Sequence, residues 1–168
     1  NDKVWSELSG VLAGLDKVIS LGLQPATSHA FTAFAARLVS PAFAAVGWDA
    51  STGESDNQKK LRSTLIGAVS RFCYKDPAIA AEATRRCHEW LAAPNESGPT
   101  ALSADIRPAV LSIAMKNCGS NDLLDKLQAS HDCLTDAAAR IHVYQALGQV
   151  ESADLRARVL EWALTEKV

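Results

Sequence analysis

The sequence predicts an all-α fold, a right-handed α-α superhelix (solenoid) of HEAT- or armadillo-like helix pairs. The 168 residues include 29 alanines, and aromatic residues make up only 6%. This composition favours helices over strands. Apolar residues also recur at helical spacing between N-cap and turn residues. Because a chain of this length can bury one hydrophobic core, we expect a single helical-repeat domain over 1–168.

The first of two leading helices is predicted by an apolar face that ends at Gly22. The members of this face are Val4, Leu8, Val11, Leu12, Leu15 and Ile19. They repeat at intervals of mostly three or four residues, which brings them to one side of a helix. In a solenoid each layer buries its apolar side on a neighbour, and this amphipathic helix has no partner layer before it.

The second leading helix opens at Pro25 and carries Phe31, Phe34, Ala35 and Leu38 on its apolar positions. We expect Ser40-Pro41 to kink or break this helix, because a residue before proline is disfavoured in the helical conformation.

The segment Gly47-Trp48-Asp49 closes the leading part of the chain, 1–48. We expect Gly47 to allow a turn, Trp48 to pack the helix end against the first layer, and Asp49 to cap the next helix. Residues 49–57 are polar and turn-forming, and they predict a loop.

Three helix pairs are predicted over 58–168, and an arginine marks the start of each pair. Arg62, Arg107 and Arg140 are 45 and 33 residues apart. The predicted helices are 58–74, 76–91, 104–118, 121–129, 136–148 and 153–164, with a loop over 94–100. Their predicted N-caps are Asp76, Asp105, Asn121, Thr135 and Ser152. Units of two helices and this length are typical of HEAT-like solenoids, and a non-repeating helical bundle is the alternative.

Charge and hydropathy argue against two classes of partner. The net charge is -2 and the pI is about 6.1, so the chain has no basic footprint for nucleic acid. Gly, Ser or Pro interrupts the longest apolar stretches before they could cross a bilayer, so we expect no membrane partner.

The cysteines show no metal-binding pattern. They are Cys73, Cys87, Cys118 and Cys133. They include no C-x-x-C pair, and we expect buried thiols that pack as small apolar groups. A metal site that joins Cys87-His88 to His131-x-Cys133 is the alternative.

One histidine lies in a broken zinc motif. His88-Glu89 begins like the H-E-x-x-H helix of zinc peptidases, but Ala92 stands where the second histidine would be. We therefore predict no catalytic, cofactor-binding or metal-binding residue in this chain.

Six short segments follow one another in a recognisable order. They are Val4-Trp5-Ser6-Glu7-Leu8, Gly47-Trp48-Asp49, Leu61-Arg62, Glu82-Ala83 with Arg85-Arg86, Leu102-Ser103-Ala104-Asp105-Ile106-Arg107 and Leu160-Glu161-Trp162-Ala163-Leu164. In this order they resemble the C-terminal helical domain of M1-family zinc aminopeptidases, most closely the puromycin-sensitive aminopeptidase type. The resemblance runs over essentially the whole chain and covers the first and middle part of that longer domain.

The resemblance implies a parent enzyme that removes N-terminal residues from peptides, with zinc held in a separate thermolysin-like domain. The chain itself would then be inactive alone. Its partners would be the catalytic domain of the same polypeptide and the peptide substrates. In this family the C-terminal domain is a bowl of HEAT-like helix pairs that limits which peptides enter. A stand-alone helical-repeat adaptor that binds a protein or peptide is the alternative, and an enzyme with an unrecognised site is a third.

The residues that we single out for structural roles are Trp5, Gly47, Trp48, Asp49, Arg62, Asp105 and Arg107. We expect Asp105 to cap its helix, and Arg62 and Arg107 to be half-buried and paired with carboxylates between layers. Alternatively, these arginines face a cavity and bind the C-terminal carboxylate of a peptide, which suits their bidentate geometry.

The two ends of the sequence show no dedicated capping layer. We therefore expect a piece of a longer domain, and self-association through the outer face of 4–21 or of 153–164. The lack of a disulfide pattern among the cysteines and the family branch suggest the cytoplasm. The sequon Asn95-Glu96-Ser97 argues for the secretory pathway instead.

Overall fold

The computed structural model describes residues 1–22, 24–94 and 102–165, and these ranges contain eight α-helices and no strand. The all-α class predicted from the sequence is confirmed. The helices are α1 (Asp2–Gly22), α2 (Pro25–Val46), α3 (Asp56–Phe72), α4 (Pro77–Ala92), α5 (Arg107–Cys118), α6 (Asn121–Cys133), α7 (Ala137–Leu147) and α8 (Ala153–Ala163). The sequon at Asn95 and the predicted loop beyond Pro94 lie outside the described residues.

The helices form two compact units, Asn1–Cys73 and Tyr74–Val168. In the first unit α3 packs on α1 and α2, and in the second α5 packs on α4 and α7 while α6 packs on α7 and α4. Stacking on the next helix and the next but one is the arrangement of an α-α solenoid. The boundary between the units falls between α3 and α4, the two helices that the repeat pattern assigns to one pair.

The core of the first unit uses only part of the apolar face predicted for α1. Within Asp2–Gly22 the buried residue is Leu12, and α1 packs on α2 and α3. Val4, Val11 and Leu15 are 61%, 59% and 48% exposed. Packing on α2 and α3 therefore leaves much of the apolar face of α1 exposed.

Helix α2 continues through Pro41 to Val46, so the predicted break at Ser40-Pro41 is wrong. Ala35, Val39 and Phe43 are buried on both sides of Pro41. Packing against α1 and α3 thus holds the helix together where proline removes a backbone hydrogen bond.

By length and composition, α2 is also able to cross a membrane. Its mean hydropathy is 1.2 over 18 residues, and 17% of that window is buried. Core helices of soluble proteins pass the same test. The absence of a membrane partner therefore stays a prediction.

The core of the second unit comes from α4 to α7. It includes Ile79, Cys87, Trp90, Val110, Leu111, Ile113, Leu124, Leu127, Val143 and Leu147. On α7 the buried residues include Val143 and Leu147, whereas Ile141 is 54% exposed.

The helix starts follow short polar residues. Asp76 caps α4 as predicted, and one of its carboxylate oxygens accepts the N–H groups of the second and third helical residues. Helices α6 and α7 are capped by Ser120 and Asp136, each one residue away from the predicted cap. Ser152 occupies the predicted cap position of α8 but makes no side-chain cap hydrogen bond.

Candidate functional site

Gly47 and Trp48 form the turn at the end of α2. Gly47 has a φ of 70°, in the left-handed region that favours glycine, and its N–H donates to the Phe43 carbonyl oxygen at 2.8 Å. The ring of Trp48 meets the buried ring of Phe43 edge to face, with 5.2 Å between centroids. Trp48 thus holds the turn against the core of the first unit.

Asp49 does not cap the following helix. The N-cap of α3 is Ser55, which forms a capping box with Gln58. The Ser55 N–H donates to Gln58 Oε1 at 2.9 Å, and Ser55 Oγ accepts the Gln58 N–H at 3.4 Å. The cap predicted at Asp49 is therefore wrong, because the turn at Gly53 intervenes before the helix starts.

A cavity of about 270 Å³ lies where α2 ends and α3 begins. Its wall includes Val46, Thr52, Glu54 and Arg62. Arg62 donates two hydrogen bonds to the Glu54 carboxylate, and both side chains are almost fully buried, with exposures of 7% and 4%. The carboxylate partner of Arg62 comes from the loop before its own helix, so the expected pairing between layers is wrong for this arginine.

The Arg62–Glu54 pair determines what the cavity offers to a ligand. Hydrogen bonds from Arg62 hold the pKa of Glu54 below its ordinary value. The Glu54 carboxylate therefore stays ionised near neutral pH and neutralises the guanidinium. Within the described residues, Arg62 Nε has no hydrogen-bond partner. A peptide carboxylate would have to displace Glu54 to bind Arg62 through both terminal nitrogens.

In the second unit Arg107 lies at the meeting point of α4, α5 and α7. Its side chain is 13% exposed, and Nη2 donates to the Leu102 carbonyl oxygen at 3.1 Å. The guanidinium carbon lies 5.6 Å from the centroid of the Trp90 ring, and Nη1 lies 3.8 Å from Asp136 Oδ2 at the start of α7. Arg107 thus connects the segment before α5 to the start of α7.

His142 on α7 belongs to the surroundings of Arg107. Its Nδ1 is buried and has no hydrogen-bond partner among the described residues. Burial lowers the pKa of His142, the positive charge of Arg107 lowers it further, and Asp136 acts in the opposite direction. Burial also lowers the pKa of Arg107 itself. The two groups therefore place a neutral imidazole next to a buried cation at neutral pH.

Two further arginines bind the loop in front of their helix. Arg140 Nε donates to the Leu134 carbonyl oxygen at 2.8 Å, and Arg156 Nη2 donates to the Val150 carbonyl oxygen at 3.3 Å. Sequence analysis singled out Arg140 but missed Arg156. A signal was available, since each arginine follows its carbonyl partner by five or six residues, as Arg107 follows Leu102.

Trp5 and Asp105 are the remaining residues singled out by the sequence. Trp5 is half-buried on α1. Asp105 precedes α5, and its N–H donates to Ser103 Oγ at 3.4 Å. The N-cap position of α5 is Ile106, without a side-chain cap hydrogen bond, so the cap predicted at Asp105 is wrong. The turn over 104–106 pushes the start of the helix past the aspartate.

Across residues 1–22, 24–94 and 102–165, no group of three or more His, Cys, Asp or Glu side chains could hold a metal ion. In the broken zinc motif, His88 is exposed and Glu89 forms an ion pair with Arg85. Cys87 is buried, and burial raises the pKa of its thiol to about 12. The metal site considered from the sequence, with Cys87-His88 joined to His131 and Cys133, is therefore not formed in the described residues.

The burial predicted for the four thiols is half correct. Cys73 and Cys87 are buried, whereas Cys118 and Cys133 are exposed. Cys118 is the last residue of α5 and Cys133 the last residue of α6, and both helix ends point to solvent.

Comparison with known proteins shows similarity to a domain family and to a curated protein. The family model described as "ERAP1-like C-terminal domain" matches residues 1–168. The chain is also 32% identical over 104 residues to a protein of Lactobacillus helveticus named "Aminopeptidase N". That match covers 62% of this chain and 12% of the relative, so the chain spans a small part of the relative's length.

Proposed function

The chain belongs to the ERAP1-like C-terminal domain family, and on that premise we propose that it is the non-catalytic helical domain of a zinc aminopeptidase that removes N-terminal residues from peptides. The observation that carries the proposal is the family match over 1–168. The identity of 32% to an aminopeptidase N supports a parent enzyme of the M1 family. The puromycin-sensitive branch is part of the same proposal and rests on the ordered sequence segments.

The zinc ion of the parent enzyme belongs, in this proposal, to the catalytic domain. The described residues do not fit a zinc site, since they bring together no cluster of metal ligands. The chain would contribute to catalysis by limiting the space that a peptide can occupy around the active site.

The arginine contacts support a role as a rigid wall. Arg62, Arg107, Arg140 and Arg156 each connect a loop to the helix that follows it. Such hydrogen bonds and ion pairs keep the loops at fixed positions relative to the helices. A protein surface that selects peptides by size needs such fixed positions. The cavity next to Arg62 would then be one edge of the peptide chamber.

A first experiment separates this function from catalysis by the chain itself. The purified chain is incubated with an aminoacyl reporter substrate with and without added zinc. We expect no hydrolysis under either condition. Turnover that rises with stoichiometric zinc would contradict the proposal. A natural reading frame without an upstream peptidase domain would also contradict it and favour a stand-alone adaptor.

A second experiment tests the wall. In the natural polypeptide that contains this chain, Arg62→Met is compared with Lys60→Met, an exposed position on the same helix. We expect Arg62→Met to change the dependence of hydrolysis on peptide length while kcat/KM for the aminoacyl reporter stays unchanged. Lys60→Met should leave both unchanged. An Arg62→Met enzyme with an unaltered length preference would contradict the role as a wall.

We also propose that the parent enzyme is cytoplasmic. None of the four cysteines is in a disulfide, and disulfides are rare in reducing compartments. Cell fractionation of the tagged natural polypeptide tests this, together with glycosidase treatment that would reveal a sugar at Asn95. A shift in gel mobility after that treatment would indicate that the enzyme enters the secretory pathway, and it would contradict a cytoplasmic location.

A further inference from the structure

We propose that Cys118 and Cys87 form a reversible disulfide when the protein meets a peroxide. Both residues are free thiols, Cys87 within α4 and Cys118 at the end of α5, and these two helices pack on each other. Cys118 is exposed and Cys87 is buried, so a peroxide reaches Cys118 first. This modification site goes beyond the proposed peptidase role and does not depend on it.

The end of α5 is held against the first half of α4. Cys118 Sγ lies 3.3 Å from Thr84 Oγ1 on α4. The residue before it, Asn117, donates through Nδ2 to the carbonyl oxygen of Tyr74, which precedes α4, at 2.6 Å. Two contacts from adjacent residues therefore fix the position of Cys118 relative to α4.

Cys87 lies one helical turn beyond Thr84, and residues three positions apart have Cβ atoms about 5–6 Å apart. The two helices are antiparallel, because the end of α5 meets Thr84 while Arg107 at its start lies over the ring of Trp90 near the end of α4. Each side chain in a helix leans toward the N-terminus of its own helix. In an antiparallel pair, Cys87 thus leans back toward the level of Thr84, and Cys118 leans toward the level of Cys87.

Small side chains next to the two thiols allow the helices to come close. Ala83 lies one turn before Cys87 and Ala114 one turn before Cys118, and both alanines are 0% exposed. Small residues at a contact shorten the distance between helix axes, and a disulfide needs Cα atoms about 4.4–6.8 Å apart. Cys118 is the last residue of α5, so it can adjust without breaking the interior of its helix.

Electrostatics is a second indication that the two thiols are neighbours. Burial raises the pKa of Cys87 to about 12, and the charge of Cys118 contributes to the same rise. Such an effect between two groups decreases with distance. It also sets the order of events, since Cys87 stays protonated near neutral pH and is the poorer nucleophile.

The reaction takes place in two steps that balance. The Cys118 thiolate attacks an oxygen of hydrogen peroxide, the O–O bond breaks, and the departing hydroxide becomes water after taking up a proton. Cys118 is then a sulfenic acid. Cys87 Sγ attacks the sulfur of this sulfenic acid, the S–O bond breaks, and the departing hydroxide takes the Cys87 proton to form a second water. The two thiols lose two electrons, and one peroxide is reduced to two waters.

Peptide mapping tests the cross-link in the natural polypeptide that contains this chain. The protein is treated with hydrogen peroxide, its remaining thiols are alkylated, and it is digested with trypsin without reduction. Arg107 is followed by Pro108, where trypsin does not cut, so Cys87 and Cys118 fall in the separate peptides 87–116 and 117–126. We expect mass spectrometry to find these two peptides linked, and dithiothreitol to separate them by thiol–disulfide exchange.

Three variants distinguish the roles of the two thiols. Cys118→Ser should abolish the cross-link. Cys87→Ala should leave a sulfenic acid on Cys118 that dimedone labels, because the second thiol is missing. Cys133→Ser is the matched control, since Cys133 is also exposed at the end of a helix, and it should leave the cross-link unchanged.

Hydrogen exchange measures what the disulfide does to the fold. A cross-link between α4 and α5 restricts the opening of both helices. We expect amide exchange in these helices to slow by about tenfold after oxidation and to recover with dithiothreitol, whereas Cys118→Ser should show no change on oxidation.

Three results would overturn the proposal. One is the absence of the linked peptides after peroxide treatment, including the case in which Cys118 is oxidised to a sulfinic acid. Another is a cross-link of Cys118 to Cys73 or Cys133 in equal or greater yield. The last is a cross-link of Cys87 that persists in Cys118→Ser.

Discussion

Arg62 and Glu54 show how one buried pair connects a loop to a helix at the scale of single residues. The loop before α3 carries the carboxylate, the helix carries the guanidinium, and both side chains are almost fully buried. A buried charge is tolerated when it is paired and hydrogen-bonded, and it becomes costly when its partner is removed. The pair therefore stabilises the position of the loop more than the fold as a whole.

We predict that Glu54→Gln lowers the midpoint of urea unfolding more than the double substitution Glu54→Leu with Arg62→Met does. The single change leaves the Arg62 charge buried without a counter-ion, whereas the double change removes both charges. Urea titrations at pH 7 measure the three proteins. A double variant less stable than Glu54→Gln would contradict this account.

The same pair predicts a pH dependence. The pKa of Glu54 is lowered in the folded chain from an ordinary value of 4.5. Its contribution to stability is therefore fully present above about 4.5 and is lost as the pH falls through the lowered folded value. The stability difference between the unmodified protein and Glu54→Gln should shrink over that range, as measured by urea midpoints at each pH.

The lowered pKa of His142 predicts a second pH dependence of stability, caused by a proton that the unfolded chain binds and the folded chain does not. Burial and Arg107 lower the pKa of His142 from its ordinary 6.5. As the pH falls below 6.5, the unfolded chain binds a proton that the folded chain does not, so the free energy of unfolding decreases. We expect His142→Gln to have a flatter stability profile between about pH 7 and pH 5. Equal slopes for the two proteins would show that His142 is not shielded from protonation.

At the scale of elements, the N-caps of α4 and α8 allow a direct comparison of capping. Asp76 accepts two backbone N–H groups at the start of α4, whereas Ser152 at the start of α8 accepts none through its side chain. We predict that Asp76→Ala lowers the free energy of unfolding by about 1 kcal/mol.

Ser152→Ala is the control for this prediction. It also removes a polar cap residue but breaks no side-chain cap hydrogen bond, so its effect should stay within a few tenths of 1 kcal/mol. Chemical denaturation of both variants measures the difference. Equal losses would mean that the caps act through the unfolded chain and not through the hydrogen bonds seen at Asp76.

In helix α2, the packing of buried side chains outweighs the local conformational preference of the residue before proline. The residue before Pro41 is disfavoured in a helix, and the sequence therefore predicts a break there. The buried residues Val39 and Phe43 on either side of Pro41 anchor both halves to α1 and α3. The free energy from burying these side chains outweighs one lost backbone hydrogen bond.

At the scale of the whole molecule, the described residues bring together no group of three or more side chains that could hold a metal ion. We predict that excess EDTA leaves the thermal midpoint of the purified chain unchanged, in contrast to small domains that fold around zinc. A chelator-dependent fall that added zinc reverses would reveal a structural metal site. Differential scanning calorimetry with and without EDTA is the measurement.

The sequence alone was sufficient for the helical class, for most helix positions and for the family. These depend on local features, namely apolar spacing, short polar caps and the order of short segments, all of which can be read along the chain. It also singled out Arg62, Arg107 and Arg140, because arginine recurred near the start of successive helix pairs.

Only the tertiary structure decided which side of each helix is buried and which partner each arginine has. Apolar spacing on α1 describes a stripe, but the contacts with α2 and α3 select Leu12 and leave Val4 and Val11 exposed. Likewise, Arg62 meets a loop carboxylate and Arg107 the cap of α7. Such choices depend on residues distant in sequence that meet only after folding, because side-chain pairing is decided by distance in space.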